Sequence, residues 1–136
     1  MTHPDILIVG AGVAGLSLAT ALGREGFCVM VIDGAKRPPP PPADRAIADW
    51  DLRVSALTPA SIDFLERLGA WSAIPGDRTG CYTGMKVWDG HGSGRIGFDA
   101  SEVNAPYLGY IVENRLTLHA LLQCATTCPG VEVRWD

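Results

Sequence analysis

No apolar run in this chain approaches the ~20 residues that a helix needs to cross a bilayer. The opening residues carry no basic stretch and enter an apolar segment at Ile6, so a secretory signal is not expected. Positive charge is scarce and scattered. The 11 Lys and Arg are outnumbered by 15 Asp and Glu, and the net charge of -4 gives no electrostatic footprint for nucleic acid. Cysteine is sparse as well. Cys28, Cys81, Cys124 and Cys128 form no C-x-x-C pair, which disfavours a zinc site or a disulfide and favours structural thiols in a reducing, cytoplasmic compartment. The histidines His3, His91 and His119 lie far apart, with His91 in a turn and His119 in a helical stretch, so packing or surface roles outrank metal ligation. No internal repeat is visible. What is left is 136 residues, 47% hydrophobic and 19% charged, the balance of a soluble globular domain able to bury roughly two-thirds of its unfolded surface.

One stretch stands out against this background. Ile6-Leu7-Ile8-Val9 is an apolar strand candidate that runs into Gly10-Ala11-Gly12-Val13-Ala14-Gly15, the pattern G-x-G-x-x-G. Gly10 permits a tight turn, Gly12 lets the backbone approach a pyrophosphate, and Gly15 lets the following helix pack close to the strand. The bared N–H groups and the dipole at the start of that helix favour phosphate charge. A second apolar strand, residues 28–33, ends on Asp33, a carboxylate placed to accept from ribose hydroxyls. Such a βαβ opening implies a parallel pair with a right-handed crossover. The bland alternatives are a ligand-free strand-to-helix turn and, for Asp33, a solvated strand end.

Residues 5–9 read as the first strand and residues 13–25 as the first helix, with Leu16, Ala19 and Leu22 on one face, Leu18 beside them and Gly26 as C-cap. Pro38 to Pro42 is an unbroken proline run inside a proline-rich loop, residues 38–50, and should extend as polyproline II. A stiff surface loop is preferred there over a ligand for a proline-recognition module. Residues 44–57 read as irregular. Thr58 and Pro59 then open a helix as N-cap and first helical residue. Ile62, Leu65 and Leu68 supply its apolar face, Phe64 flanks it and Gly69 closes it. Residues 84–89 and 94–99 alternate around Gly90-His91-Gly92-Ser93 as a hairpin. Residues 107–112 read as a strand, 115–127 as an amphipathic helix and 131–135 as a further strand. A parallel strand normally leads into another crossover, so the stop at Asp136 suggests a piece of something larger, although a natural edge strand would look the same.

The glycine pattern alone does not choose between NAD and FAD. A simple NAD domain would go on alternating strand and helix after Asp33, whereas a long loop, an isolated helix and a hairpin suit a cofactor spread over a more elaborate surface. Three readings stay open at this point. One is the FAD-binding portion of an enzyme, and another is an NAD(P)-binding Rossmann dehydrogenase domain. The third is a non-catalytic, self-associating fragment whose open sheet edges favour dimers or strand exchange.

Four segments go further: Asp51-Leu52-Arg53-Val54-Ser55-Ala56-Leu57-Thr58-Pro59-Ala60-Ser61, Phe64-Leu65-Glu66-Arg67-Leu68-Gly69-Ala70-Trp71, Met85-Lys86-Val87-Trp88-Asp89 and Leu108-Gly109-Tyr110-Ile111-Val112-Glu113-Asn114-Arg115-Leu116. Together they resemble the ubiquinone-biosynthesis hydroxylase family, flavoprotein aromatic-ring monooxygenases of the para-hydroxybenzoate hydroxylase group, over nearly the whole chain. The resemblance implies an α/β, Rossmann-like FAD-binding βαβ domain. Residues 1–136 would be its N-terminal part, truncated before a second flavin motif and the sheet that covers the substrate ring. It implies FAD, reduced by NAD(P)H and reacting with O2, to hydroxylate an aromatic ring of a polyprenylated quinone precursor, with little turnover by this stretch alone. The hard chemistry would be the cofactor's.

Carried over position by position, the resemblance puts Gly10, Ala11, Gly12, Val13, Ala14 and Gly15 on the pyrophosphate loop. It puts Asp33 on the ribose-binding acid, where family members more often carry Glu. Arg53 and Arg115 fall on arginines that reach the FAD phosphate or ribityl region, a task suited to a guanidinium fork. Read from the residues alone, these two would be surface or helix-start arginines. No catalytic residue and no metal ligand is assigned. A prenylated substrate implies work near the inner membrane, as a peripheral protein, a homo-oligomer or a partner of other quinone-biosynthesis proteins, although no amphipathic anchor stands out. Asp89, Asp99, Glu102 and Glu113 find no convincing partner and read as solvated, and Trp50, Trp71, Trp88 and Trp135 read as core or rim residues.

Overall fold

A computed structural model describes residues 3–42 and 50–136 of the chain. It opens with β1 (Ile6–Val9), α1 (Val13–Arg24) and β2 (Val29–Asp33), the expected βαβ unit. There follow β3 (Val54–Leu57), α2 (Pro59–Arg67), β4 (Thr79–Tyr82), β5 (Gly84–Trp88), β6 (Arg95–Asp99), β7 (Gly109–Glu113), α3 (Asn114–Thr127) and β8 (Val131–Trp135).

β2 is the middle strand of a parallel sheet ordered β1-β2-β8. Its register aligns Ile6 with Val29 and Val131, and Ile8 with Val31 and Val133. Partnered residues in a sheet share a face, so these six form one apolar surface. They join a core with Leu16 and Ala19 of α1 and Ala120, Leu121 and Leu122 of α3. Gly23 brings α1 so near β8 that an added Cβ would stand 2.4 Å from Val131 Cγ2. The opposite face carries Leu7, Val9, Met30 and Ile32 beside Glu132 and Arg134. That face is open: Leu7 is 56% and Val9 80% exposed.

Helix boundaries follow local chemistry. Gly26, in the left-handed region at φ 91°, leads the chain out of α1. Thr58 Oγ1 accepts from Ser61 N–H at 3.3 Å and Pro59 takes the first helical position of α2, whose buried face is Ile62 and Leu65, continued by Leu68. Leu18 and Phe64, expected beside the apolar faces, are exposed.

The second sheet, β3-β7-β4, is antiparallel around β7. It corrects the sequence reading at Val54–Leu57, which is a strand and not irregular; residues 43–49 lie outside the described residues. β4 had no counterpart in that reading. Both are four-residue strands that exist through pairing with β7, a long-range partner which local pattern cannot reveal. The remaining shifts are small: β2 begins at Val29, leaving Cys28 just outside, β7 covers 109–113, and α3 begins at Asn114. β5 and β6 form the expected hairpin, with Met85, Val87, Ile96 and Phe98 together on one exposed face. All four thiols are free, and among the described residues no cluster of His, Cys, Asp or Glu could hold a metal. No helix of the described residues is long and apolar enough to cross a membrane.

Candidate dinucleotide site

The turn from β1 into α1 is built by its glycines. Gly10 sits at φ 105° and donates its N–H to Ile32 O at 2.8 Å, which ends β1 against β2. A Cβ on Gly15 would lie 2.0 Å from Gly10 O, so only glycine lets the helix rise this close to the strand. Around Gly10 and Gly12, by contrast, an added Cβ would meet nothing within 4 Å. The loop is therefore packed tightly behind and open in front. Gly12 is the N-cap of α1, which has no side-chain cap and no acid in its first turn. The unpaired N–H groups of a first helical turn and the positive end of the helix dipole suit an anion there.

Asp33 ends β2 beside this loop. Its Oδ2 accepts from Ala11 N–H at 2.7 Å and its Oδ1 accepts from Ala35 N–H at 2.8 Å. These backbone donors, Ala11 first, hold its pKa below the ordinary 3.8. A carboxylate has about four acceptor sites, so lone pairs remain for sugar hydroxyls.

The second sheet delivers the arginines. Because Val54 of β3 pairs with Glu113 of β7, the residues just outside the ladder also meet: Asn114 N–H donates to Arg53 O at 2.9 Å. Ser55 Oγ donates to Asn114 Oδ1 at 2.6 Å and fixes the start of α3. Gly12, Val13, Asp51, Arg53, Asn114 and Arg115 thus border one cavity of about 520 Å3. Of the residues singled out from sequence, Gly12, Val13, Arg53 and Arg115 meet there, and Asp33 is tied to the loop through Ala11. Gly15 serves the packing behind. Ala14 faces a neighbouring apolar groove with Ser17, Leu18 and Phe64. A further concavity, on hairpin β5–β6, shares no residue with the glycine loop.

Glu113 overturns its sequence reading as a solvated carboxylate. It is 1% exposed and stands between two arginines. Its Oε1 accepts from Arg78 Nε at 2.7 Å; its Oε2 accepts from Arg115 Nε at 3.0 Å and from Asp51 N–H at 2.6 Å. Arg78, 6% exposed, also lies under the Trp50 ring, with Cζ 5.0 Å from its centroid. Nη2 of each arginine sits within ion-pair distance of Glu113, at 2.5 Å for Arg78 and 3.0 Å for Arg115, but neither finds a well-aligned hydrogen-bond acceptor. With Nε and Nη2 turned to Glu113, the Arg115 side chain is still 29% exposed and borders the cavity, so it has donors to offer there. A phosphate oxygen or a ribityl hydroxyl is a fitting acceptor, so the residues present suit the group that the loop implies. The available sequence signal for Glu113 was its setting, between Ile111-Val112 and Leu116 and two residues from Arg115.

With this geometry in place, the comparisons with known proteins bear on it directly. A family of NAD(P)-binding Rossmann-like domains matches residues 8–39, the βαβ opening. The 3-demethoxyubiquinol 3-hydroxylase of Escherichia coli is 38% identical over 130 residues, covering 96% of this chain and 32% of that protein. This chain is a relative of the ubiquinone-biosynthesis hydroxylases. The human ubiquinone biosynthesis monooxygenase COQ6 is 33% identical over 118 residues, 86% of this chain and 25% of that protein. The chain therefore spans less than two thirds of the length of these hydroxylases. Among solved structures, PqsL of Pseudomonas aeruginosa, a "probable FAD-dependent monooxygenase", aligns at TM-score 0.68 and 26% identity, over 98% of this chain and 33% of its own. The p-nitrophenol 4-monooxygenase PnpA of Pseudomonas putida, at TM-score 0.66 and 23% identity over 96% of this chain and 31% of its own, shares the fold.

Proposed function

We propose that this chain is the FAD-binding portion of a flavoprotein monooxygenase that hydroxylates an aromatic ring of a ubiquinone precursor, using NAD(P)H and O2. The observation that carries this reading is the convergence of Gly12, Arg53 and Arg115 on one cavity beside a loop to which Asp33 is hydrogen-bonded. The amides opening α1 receive the pyrophosphate. Asp33 accepts from ribose hydroxyls with the lone pairs left by Ala11 and Ala35. Arg53 and Arg115 donate to phosphate or ribityl oxygens and fix the group's extension across the second sheet. FAD supplies the redox chemistry when bound, and the residues of this chain bind and orient it. None of them is assigned to proton or oxygen transfer, so these 136 residues alone bind without turning over. The substrate is a polyprenylated quinone precursor, met by a cytoplasmic protein working peripherally at the inner membrane.

The purified protein, reconstituted with FAD, should be yellow, release flavin on denaturation and melt at a higher temperature as FAD is raised, by mass action. A protein that takes up no FAD under these conditions overturns the reading. The match of residues 8–39 to NAD(P)-binding domains favours a second reading, an NAD(P)-dependent dehydrogenase domain. Protection by NADH with none by FAD would establish that alternative.

A further inference from the structure

We propose that Glu113 is a positioning residue that sets both Arg53 and Arg115 toward the bound dinucleotide, with Arg78 as the counter-charge that lets Glu113 stand buried between them. The inference rests on reading the cavity as a dinucleotide site.

Each link is a hydrogen bond of the structure. Glu113 Oε2 accepts from Arg115 Nε at 3.0 Å, and with Nε engaged the plane of the guanidinium is fixed. The same oxygen accepts from Asp51 N–H at 2.6 Å. Asp51 Oδ1 in turn accepts from Arg53 N–H at 3.0 Å, so the loop that carries Arg53 is anchored to the same carboxylate. One buried side chain thereby ties together two segments that are far apart in sequence. Arg78 does not touch the dinucleotide cavity; it borders a separate space of about 230 Å3 with Pro42, His119 and Gln123. Its place is on the far oxygen of Glu113, where it and the Trp50 ring close the cluster.

Charge makes the arrangement purposeful. A lone Glu113–Arg115 pair would neutralise Arg115 and hold it back from an anion. With Arg78 present, one carboxylate faces two guanidinium groups, and a positive charge is left over on the side where Arg115 borders the cavity. Arg115 keeps Nε and Nη2 against Glu113, and its side chain, 29% exposed, presents that charge to an incoming oxygen at the cavity. A phosphate there completes the cluster.

The test is a double-mutant cycle on FAD affinity, read by quenching of flavin fluorescence, together with the melting temperature of each FAD-free protein. Glu113→Gln keeps the size and one acceptor and removes the charge, while Arg115→Met removes the fork. Each single variant is expected to weaken FAD binding by about tenfold or more. The double variant should lose clearly less than the two losses combined, because Glu113 acts through Arg115. Losses that simply add overturn the proposal, as does an unchanged FAD affinity in Glu113→Gln. A merely structural role would lower the melting temperature and leave the two losses independent. If Glu113→Gln does not fold, Arg115→Lys serves instead: it keeps the cation beside Glu113 but cannot engage the carboxylate and an FAD oxygen with one planar fork. Its affinity should fall about tenfold with an unchanged melting temperature, and retained affinity overturns the proposal. A wild-type protein that binds no FAD would instead overturn the functional reading itself.

Discussion

The carboxylate of Asp33 connects the ribose end of the site to the glycine loop, and its protonation has a calculable sign. Ala11 N–H and then Ala35 N–H lower its pKa below 3.8 in the folded chain, while the unfolded chain keeps the ordinary value. A group depressed by folding contributes stability that is full above its unfolded pKa and lost as pH falls through the folded one. Acidification below 3.8, through the lowered value of the folded chain, should therefore protonate Asp33, release Ala11 N–H and loosen the loop. Asp33→Asn is expected to melt earlier than wild type at neutral pH and to show a shallower loss of melting temperature on acidification. Two parallel curves would show that Asp33 plays no such part. Asp33 was readable from sequence as the acid at the strand end. Its bond to Ala11 was not, since that depends on how sharply the chain turns at Gly10.

At the scale of elements, α1 lies where Gly15 allows it to lie. A Cβ at this position would press on the backbone oxygen of Gly10, which cannot swing away as a side chain can. Gly15→Ala should push α1 off β1, destabilise the protein by about 1–3 kcal/mol and weaken dinucleotide binding with it. Denaturant melts would measure the first, and an unchanged midpoint would refute the close packing. Elements with their own punctuation were legible in advance: α1 between Gly12 and Gly26, α2 between Thr58-Pro59 and Gly69, and the hairpin about Gly90 to Ser93. β3 and β4 were not. Val54–Leu57 and Thr79–Tyr82 carry too few residues for a pattern, and β7 alone gives them an identity. The site shared this limit. Arg53 and Arg115 came from family resemblance, whereas the meeting of Arg78 with Glu113 needed the antiparallel register of the second sheet.

At the scale of the molecule, the described residues leave the parallel sheet with one covered and one open side. α1 and α3 close the first, and Leu7, Val9, Met30 and Ile32 line the second. Sheets of parallel strands are ordinarily buried on both faces, so this surface is sticky. Val9→Lys should reduce binding of an apolar fluorescent dye and light scattering at high concentration. It should shift the unfolding midpoint by no more than about 0.5 kcal/mol, because the side chain is already 80% exposed. Undiminished dye binding would mean that apolar surface elsewhere, such as the hairpin, dominates.

The middle position of β2 also dictates an order of events. Its two neighbours are β1, close by in sequence, and β8, whose partner positions lie about a hundred residues further on, a separation that makes loop closure slow. On a ribosome, the early βαβ unit must wait, half-sheeted, until residues 131–135 clear the exit tunnel. A chaperone that shields nascent chains would find its client in that interval.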